Sequence, residues 1–173
     1  PSVVAAGVAE AVNPPSTREP AAAESQSPVT SASSKSSTAS APAATIAAGN
    51  SLGIGPLYYF GNEEQKRKYL PKLCSGEALW GFGLTEPNAG SDSGNTQTTA
   101  VLDGNEWVIN GSKIFITNAA TDITAGTTVL VRTGVRDDGK PELSCIIVES
   151  GTPGFTAREM HGKLMWRASN TSE

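Results

Sequence analysis

Gly83-Leu84-Thr85-Glu86-Pro87-Asn88-Ala89-Gly90-Ser91-Asp92 is the stretch on which the reading of this chain turns. The run Leu79 to Leu84 is mostly apolar and short enough for a buried strand, and Pro87, which lacks a backbone N–H, ends regular pairing. A loop of small residues follows. Ala89-Gly90 allows a left-handed turn in which successive N–H groups point into one concavity, ringed by the short polar groups of Thr85, Ser91 and Asp92. Such a concavity suits an anion or a cofactor. Taken alone, Thr-Glu-Pro and Ala-Gly-Ser are also common in exposed connections.

Beyond this loop the sequence is strand-like. Thr96 to Leu102 leads into the turn Asp103-Gly104-Asn105, and Glu106 to Ile109 then reaches Asn110-Gly111, a hairpin signal. Ser112 to Thr117, Thr127 to Thr133, Leu143 to Glu149 and Phe155 to Arg158 complete the series. Short strands at this spacing predict a mainly β fold, α+β overall, built on an antiparallel barrel-like or sandwich core. If Lys113 to Asn118 is a strand, Lys113, Phe115 and Thr117 share one face while Ile114 and Ile116 share the other. In isolation that describes an ordinary hairpin with a solvent-facing Phe and Thr.

Upstream of the strands lies a helical stretch. Ile46 through Tyr59 is apolar and small, and Asn62 is a good N-cap for a helix with Glu63 and Glu64 in its first turn and Lys66, Arg67 and Lys68 further on. Glu64 and Lys68 are placed to pair, Pro71 is expected to end or kink the helix, and Gly76 closes it. Residues 1–44 are rich in Ala, Ser, Pro and Thr, and read as a disordered or loosely docked segment with at most a short helix over Val3 to Val12. The organisation expected is therefore this segment, a helical part over 45–77 and a central β domain over 78–173.

Composition removes several function classes. The 173 residues can hold one ordinary domain plus a tail, and a net charge of −4 with no basic stripe argues against nucleic acid as a partner. A phosphate-bearing small ligand stays open, since backbone N–H groups and hydroxyls can hold one without formal charge. Cys74 and Cys145 read as separate buried thiols, and with the single histidine, His161, they supply no metal ligand set. His161, in a Gly-flanked loop, reads as a surface residue. No apolar run approaches membrane-spanning length, and the first residues match neither a secretory signal nor an Arg-rich transit peptide, so an intracellular, soluble protein is expected.

Leu84 through Asp92, followed by Asn110-Gly111-Ser112-Lys113-Ile114-Phe115-Ile116-Thr117-Asn118 and then by Lys163, Arg167, Ala168, Ser169 and Thr171, resembles the flavin-binding signature of the acyl-CoA dehydrogenases. The likeness runs from about Asn50 to the end, and residues 45–77 resemble part of that family's N-terminal helical domain. It implies FAD as cofactor, held by Phe82, Leu84, Thr85, Gly90, Ser91, Phe115, Ile116 and Thr117. In this reading Thr85 bonds the ring edge, Ser91 and nearby N–H groups take the pyrophosphate, Phe115 lies against the isoalloxazine and Thr117 approaches flavin N5. Ser91 is also the substrate-contact candidate.

The resemblance further implies oxidation of an acyl-CoA thioester to the 2,3-enoyl-CoA, as in fatty-acid β-oxidation, with electron-transfer flavoprotein as acceptor and a homo-oligomeric assembly. The location implied is the cytoplasm in a bacterium or the mitochondrial matrix in a eukaryote. The family's base is a carboxylate from a C-terminal helical domain that residues 1–173 do not include, so no catalytic residue is assigned here. The chain is expected to be a fragment, inactive alone. Glu86 is not taken as a base; it is expected to fix its loop by accepting local hydrogen bonds. Departures from the family pattern are Phe115 for Trp, Met165 for Gly, Asn170 for Asp, and Ala119-Ala120 for a glycine-rich exit. Competing readings are a β module that binds or scaffolds without a cofactor, and an acyl-CoA oxidase.

Overall fold

Local chemistry accounts for the helical segment. In this computed structural model, which describes residues 3–4 and 40–173, α1 (Ser40–Ala48) runs through a π-helical turn (Gly49–Gly53) into α2 (Ile54–Phe60). The expectations for residues 5–39 lie outside the described residues. Helix α3 (Glu63–Ser75) begins at Asn62, whose side chain accepts from Gln65 N at 2.8 Å while the Gln65 side chain accepts from Asn62 N at 3.0 Å. This reciprocal cap satisfies two of the donors a helix start leaves open. Pro71 neither ends the helix nor replaces Gly76, which stops it in a left-handed conformation, φ 80°. The expected Glu64–Lys68 pair gives way to a tertiary one: Lys68 Nζ and Tyr69 Oη both donate to Glu149 and tie α3 to the sheet.

The strands, in chain order, are β1 (Val3–Val4), β2 (Leu79–Gly83), β3 (Thr99–Asp103), β4 (Glu106–Asn110), β5 (Ile116–Thr117), β6 (Thr124–Val135), β7 (Pro141–Glu149) and β8 (Thr171–Ser172). Six form one sheet in the order β1-β4-β3-β6-β2, with β7 on β6; β5 and β8 make a separate antiparallel pair. Val3–Val4 is thus extended and pairs with β4, within the segment expected to be disordered or loosely docked with at most a short helix.

Two further expectations change. The sheet is mixed: β2 runs parallel to β6, Trp80 opposite Gly126 and Gly83 opposite Val129. Among the described residues the strands follow an open order with no barrel closure. The fold is a mixed α/β arrangement.

Asn110-Gly111 also makes no hairpin. A Cβ on Gly111 would lie 2.7 Å from the Thr98 Cα, so this glycine serves a close approach of two segments. Phe155 to Arg158 forms no strand, although Arg158 and Glu173 exchange backbone hydrogen bonds.

Strands β6 and β7 bury both faces. Val129, Val131, Ile146 and Val148 pack with Ala100 and Ile109 on one side, while Ile147 joins Trp80, Leu57, Leu73 and Ala78 beneath the helices on the other. Each Val, Leu and Ile among them contributes about 1.5–3 kcal/mol when fully buried. Trp80, 2% exposed, also donates from Nε1 to Thr128 Oγ1 at 2.9 Å, which settles its polar atom inside the core. Cys74 is exposed on the last turn of α3, contrary to expectation, and Cys145 is half-buried; neither forms a disulfide. No described helix is long and apolar enough to cross a membrane.

Candidate functional site

The exit of β2 and the segment after β4 meet. Ile114 N donates to Thr85 O at 2.9 Å, and Lys113 Nζ donates to Leu84 O at 3.1 Å and to the Glu86 carboxylate at 2.7 Å. Glu86 also accepts from Thr96 Oγ1, from Gln97 N at 2.6 Å and from Thr98 N at 2.9 Å. The loop between, residues 87–95, therefore leaves and re-enters the body at one carboxylate. Glu86 and Ala89 exchange backbone bonds of 2.9 and 3.2 Å, which shape the first turn of that loop.

The Glu86–Lys113 side chains are only 4% and 9% exposed. Burial alone would push the Glu86 carboxyl up; the hydrogen bonds from Lys113, Thr96 and the neighbouring backbone outweigh it and hold the group at about 2. Burial also lowers the Lys113 pKa, an effect that Glu86 opposes. A carboxylate this firmly ionised cannot take up a proton near neutral pH. Its role is the one the sequence indicated, fixing the loop.

Phe82 is half-buried and lines a cavity of about 240 Å³ with Pro56, Leu57, Phe60, Leu130 and Cys145. Leu84 and Thr85 are half-buried and contribute their carbonyls to the contacts just described. Gly90 and Ser91 stand exposed on the loop. Gly90 lacks the expected left-handed conformation, and a Cβ placed on it would meet nothing within 4 Å. The chain's own backbone does not require glycine there.

The alternation expected over Lys113 to Asn118 fails for a definite reason. Phe115 has φ 64° and Asn118 φ 66°, so the only strand pairing is that of Ile116–Thr117 with β8. Lys113 turns inward to Glu86, Ile116 is buried with its Cγ2 facing the Gly81 backbone, and Thr117 is half-buried. Phe115 is left 60% exposed in a conformation a bulky residue rarely adopts.

The third segment closes the arrangement. Asn118 N donates to Asn170 O at 3.1 Å, Ala120 N to Asn170 Oδ1 at 3.3 Å, and Lys163 Nζ to Ser169 O and Thr171 Oγ1. At the turn where Met165 interrupts the expected glycine, Trp166 takes φ 58°. Asn118, fully buried, also reaches Thr45 O of α1 at 3.2 Å. Sequence reasoning gave no role to Lys113 or Asn118. One signal was available: the second motif holds a single charge, Lys113, between Ser112 and the apolar Ile114, and the first holds the opposite charge, with Glu86 right after the strand exit.

Three motif segments distant in sequence thus come together in space, the first on the second through Thr85 and Ile114 and the second on the third through Asn118 and Asn170. The family models match in the same places: residues 81–173 fit the acyl-CoA dehydrogenase middle domain and residues 29–77 the N-terminal domain. This chain belongs to the acyl-CoA dehydrogenase family. A probable acyl-CoA dehydrogenase, YngJ, of Bacillus subtilis (strain 168) is 54% identical over 129 residues, covering 75% of this chain and 33% of that protein. The butyryl-CoA dehydrogenase structure from Megasphaera elsdenii matches with TM-score 0.69 and 39% identity over 76% of this chain and 34% of its own. A glutaryl-CoA dehydrogenase from Mycobacterium smegmatis, in complex with FADH2, matches with TM-score 0.62 and 43% identity over 69% and 29%. The chain spans between about a fifth and a third of the length of the acyl-CoA dehydrogenases it matches.

Proposed function

We propose that this chain forms the FAD-binding central portion of an acyl-CoA dehydrogenase, with a helical part over 45–77 and a central β domain over 78–173. The observation that carries the reading is the union of Thr85 with Ile114 and of Glu86 with Lys113, which makes one surface from the two motif segments. The residues present fit the cofactor. Gly90 leaves open space where a side chain would stand, as close approach of a phosphate to backbone requires, and Phe115 offers an exposed ring two residues before the half-buried Thr117.

Phe82, Leu84, Thr85, Gly90, Ser91, Phe115, Ile116 and Thr117 would hold the group. When bound, FAD supplies a two-electron acceptor for the β-hydrogen of an acyl-CoA. The residues themselves bind and orient: Ser91 and the loop amides take anionic oxygens, Thr85 and Thr117 offer hydroxyls to a ring edge, and Phe115 covers apolar surface and excludes water. Ile116 contributes through its backbone, since its side chain is spent on Gly81.

Glu86 is locked as an ion by four donors and is not assigned the abstraction of the α-proton, which is proposed to fall to a carboxylate outside residues 1–173. The chain alone is accordingly proposed to be inactive; electron-transfer flavoprotein and further copies of the protein are the partners proposed for the complete enzyme. The test is the visible spectrum of the purified chain, before and after addition of FAD and desalting. Retained flavin absorption supports the reading. A chain folded by circular dichroism that keeps no flavin overturns it for this segment.

A further inference from the structure

We propose that the buried Glu86–Lys113 pair is the positioning device of the cradle, fixing the loop that carries Gly90 and Ser91 against the segment that carries Phe115 and Thr117. The inference rests on the flavin-binding reading above. Three observations converge on it. Glu86 stands where the loop begins, and its carboxylate gathers Thr96 Oγ1, Gln97 N and Thr98 N where the loop ends, so a single side chain closes the loop's neck. Lys113 then spans to the other motif with all three of its donors engaged, on Leu84 O, Glu86 and Thr96 Oγ1, the last at 2.9 Å. Between the pair and Phe115 lies only Ile114, whose amide is itself bonded to Thr85.

A buried ion pair is poor evidence of stability, because apolar residues of the same volume serve stability as well or better. What an ion pair supplies is direction. Lys113 has three donors aimed at three fixed acceptors, and Glu86 offers two oxygens to four donors, so the two motifs have one register relative to each other. A flavin bridging Ser91 and Thr117 needs that register, and a slip of an ångström between the segments is costly for a site built on both.

The test uses the full chain in two measurements. Amide hydrogen exchange without FAD reads the clamp, and the FAD dissociation constant, from quenching of flavin fluorescence, reads the cradle. In Lys113→Met, exchange at Gln97, Thr98 and Ile114 is expected to speed about tenfold or more while Val131 and Ile146 stay unchanged, and FAD is expected to bind about tenfold more weakly. Lys113→Arg, which keeps the charge, is expected to recover part of both.

A folded Lys113→Met chain with unchanged exchange overturns the proposal, and so does faster exchange with unaltered FAD affinity. If that variant fails to fold, Thr96→Val removes one hydroxyl of the cluster and is expected to weaken FAD about threefold; an unaltered affinity there overturns the proposal equally. A wild-type chain that binds no FAD is a different result. It overturns the flavin-binding reading, while the exchange pattern still reports whether the pair clamps the loop.

Discussion

Asn118 Nδ2 donates to the carbonyl oxygen of Thr45 at 3.2 Å, and this bond joins the end of the second motif to the first helix of the described chain. Asn118 also holds φ 66°, donates from its backbone to Asn170, and accepts at its carbonyl from Thr124 Oγ1 at 2.7 Å. Helix α1, the residue before β8 and the start of β6 therefore meet on one residue.

Replacing Asn118 with Ala removes the side-chain donor and puts a Cβ-bearing residue without local polar support in the left-handed region. A loss of about 2–3 kcal/mol is expected in urea unfolding. Asn118→Gly keeps the backbone conformation and should recover about 1 kcal/mol of that loss. Equal stability of the alanine variant and wild type would contradict the assignment.

Glu86 predicts an acid limb. Its carboxyl is depressed from 4.5 to about 2, so the stability it contributes is complete above pH 4.5 and is lost as pH falls toward 2. The contribution is up to about 3 kcal/mol. Unfolding free energies measured across that window should fall steeply in wild type, and Glu86→Gln should show a lower plateau with a shallower slope. Parallel curves for the two proteins would remove Glu86 from the acid response.

Phe115 exposes an aromatic ring on a left-handed backbone. Glycine at 115 relieves that conformation and is expected to stabilise the chain by about 1 kcal/mol. The same substitution removes the apolar face offered to the cofactor, so FAD retention should drop while the melting temperature rises. Phe115→Trp should retain flavin. A glycine variant that is both less stable and equally able to bind FAD would refute this account of the residue.

Trp80→Phe deletes the donor to Thr128 Oγ1 and part of the contact with the Tyr69 ring, whose centroid lies 4.9 Å away. Both changes occur in the core, and a cost of about 2–3 kcal/mol is expected by denaturant titration. A variant within error of wild type would mean that the indole is not held as described.

Much of this arrangement was legible locally. Asn62 ahead of Glu63 and Glu64, Gly76 after the helix, and Asp103-Gly104-Asn105 between strand-like runs each act over a few residues, and each does what its chemistry indicates. The motif segments were legible too, because their spacing is a pattern of sequence alone.

What sequence could not convey is which distant group each side chain would meet. Lys113 was read on an alternating strand because no local signal marks the left-handed Phe115, and Lys68 was paired with Glu64 because Glu149 is far along the chain. Gly90 was read as a turn glycine, although its φ is ordinary. The parallel partner of β2 was hidden for the same reason: hairpin signals announce neighbours in sequence, and β6 is not one.

That parallel pairing has a consequence for synthesis. Leu79–Gly83 emerges from the ribosome well before Thr124–Val135, its pairing partner among the described residues, and that pairing must wait until residues 84–123 have also been made. Through that interval the nascent chain carries an apolar strand whose β6-facing edge is open, the form of segment that chaperones shield and that aggregates when they do not. Slow codons or a stall within residues 84–123 would lengthen the exposure, whereas the same delay after Glu149, with β6 and β7 both available, would leave it untouched.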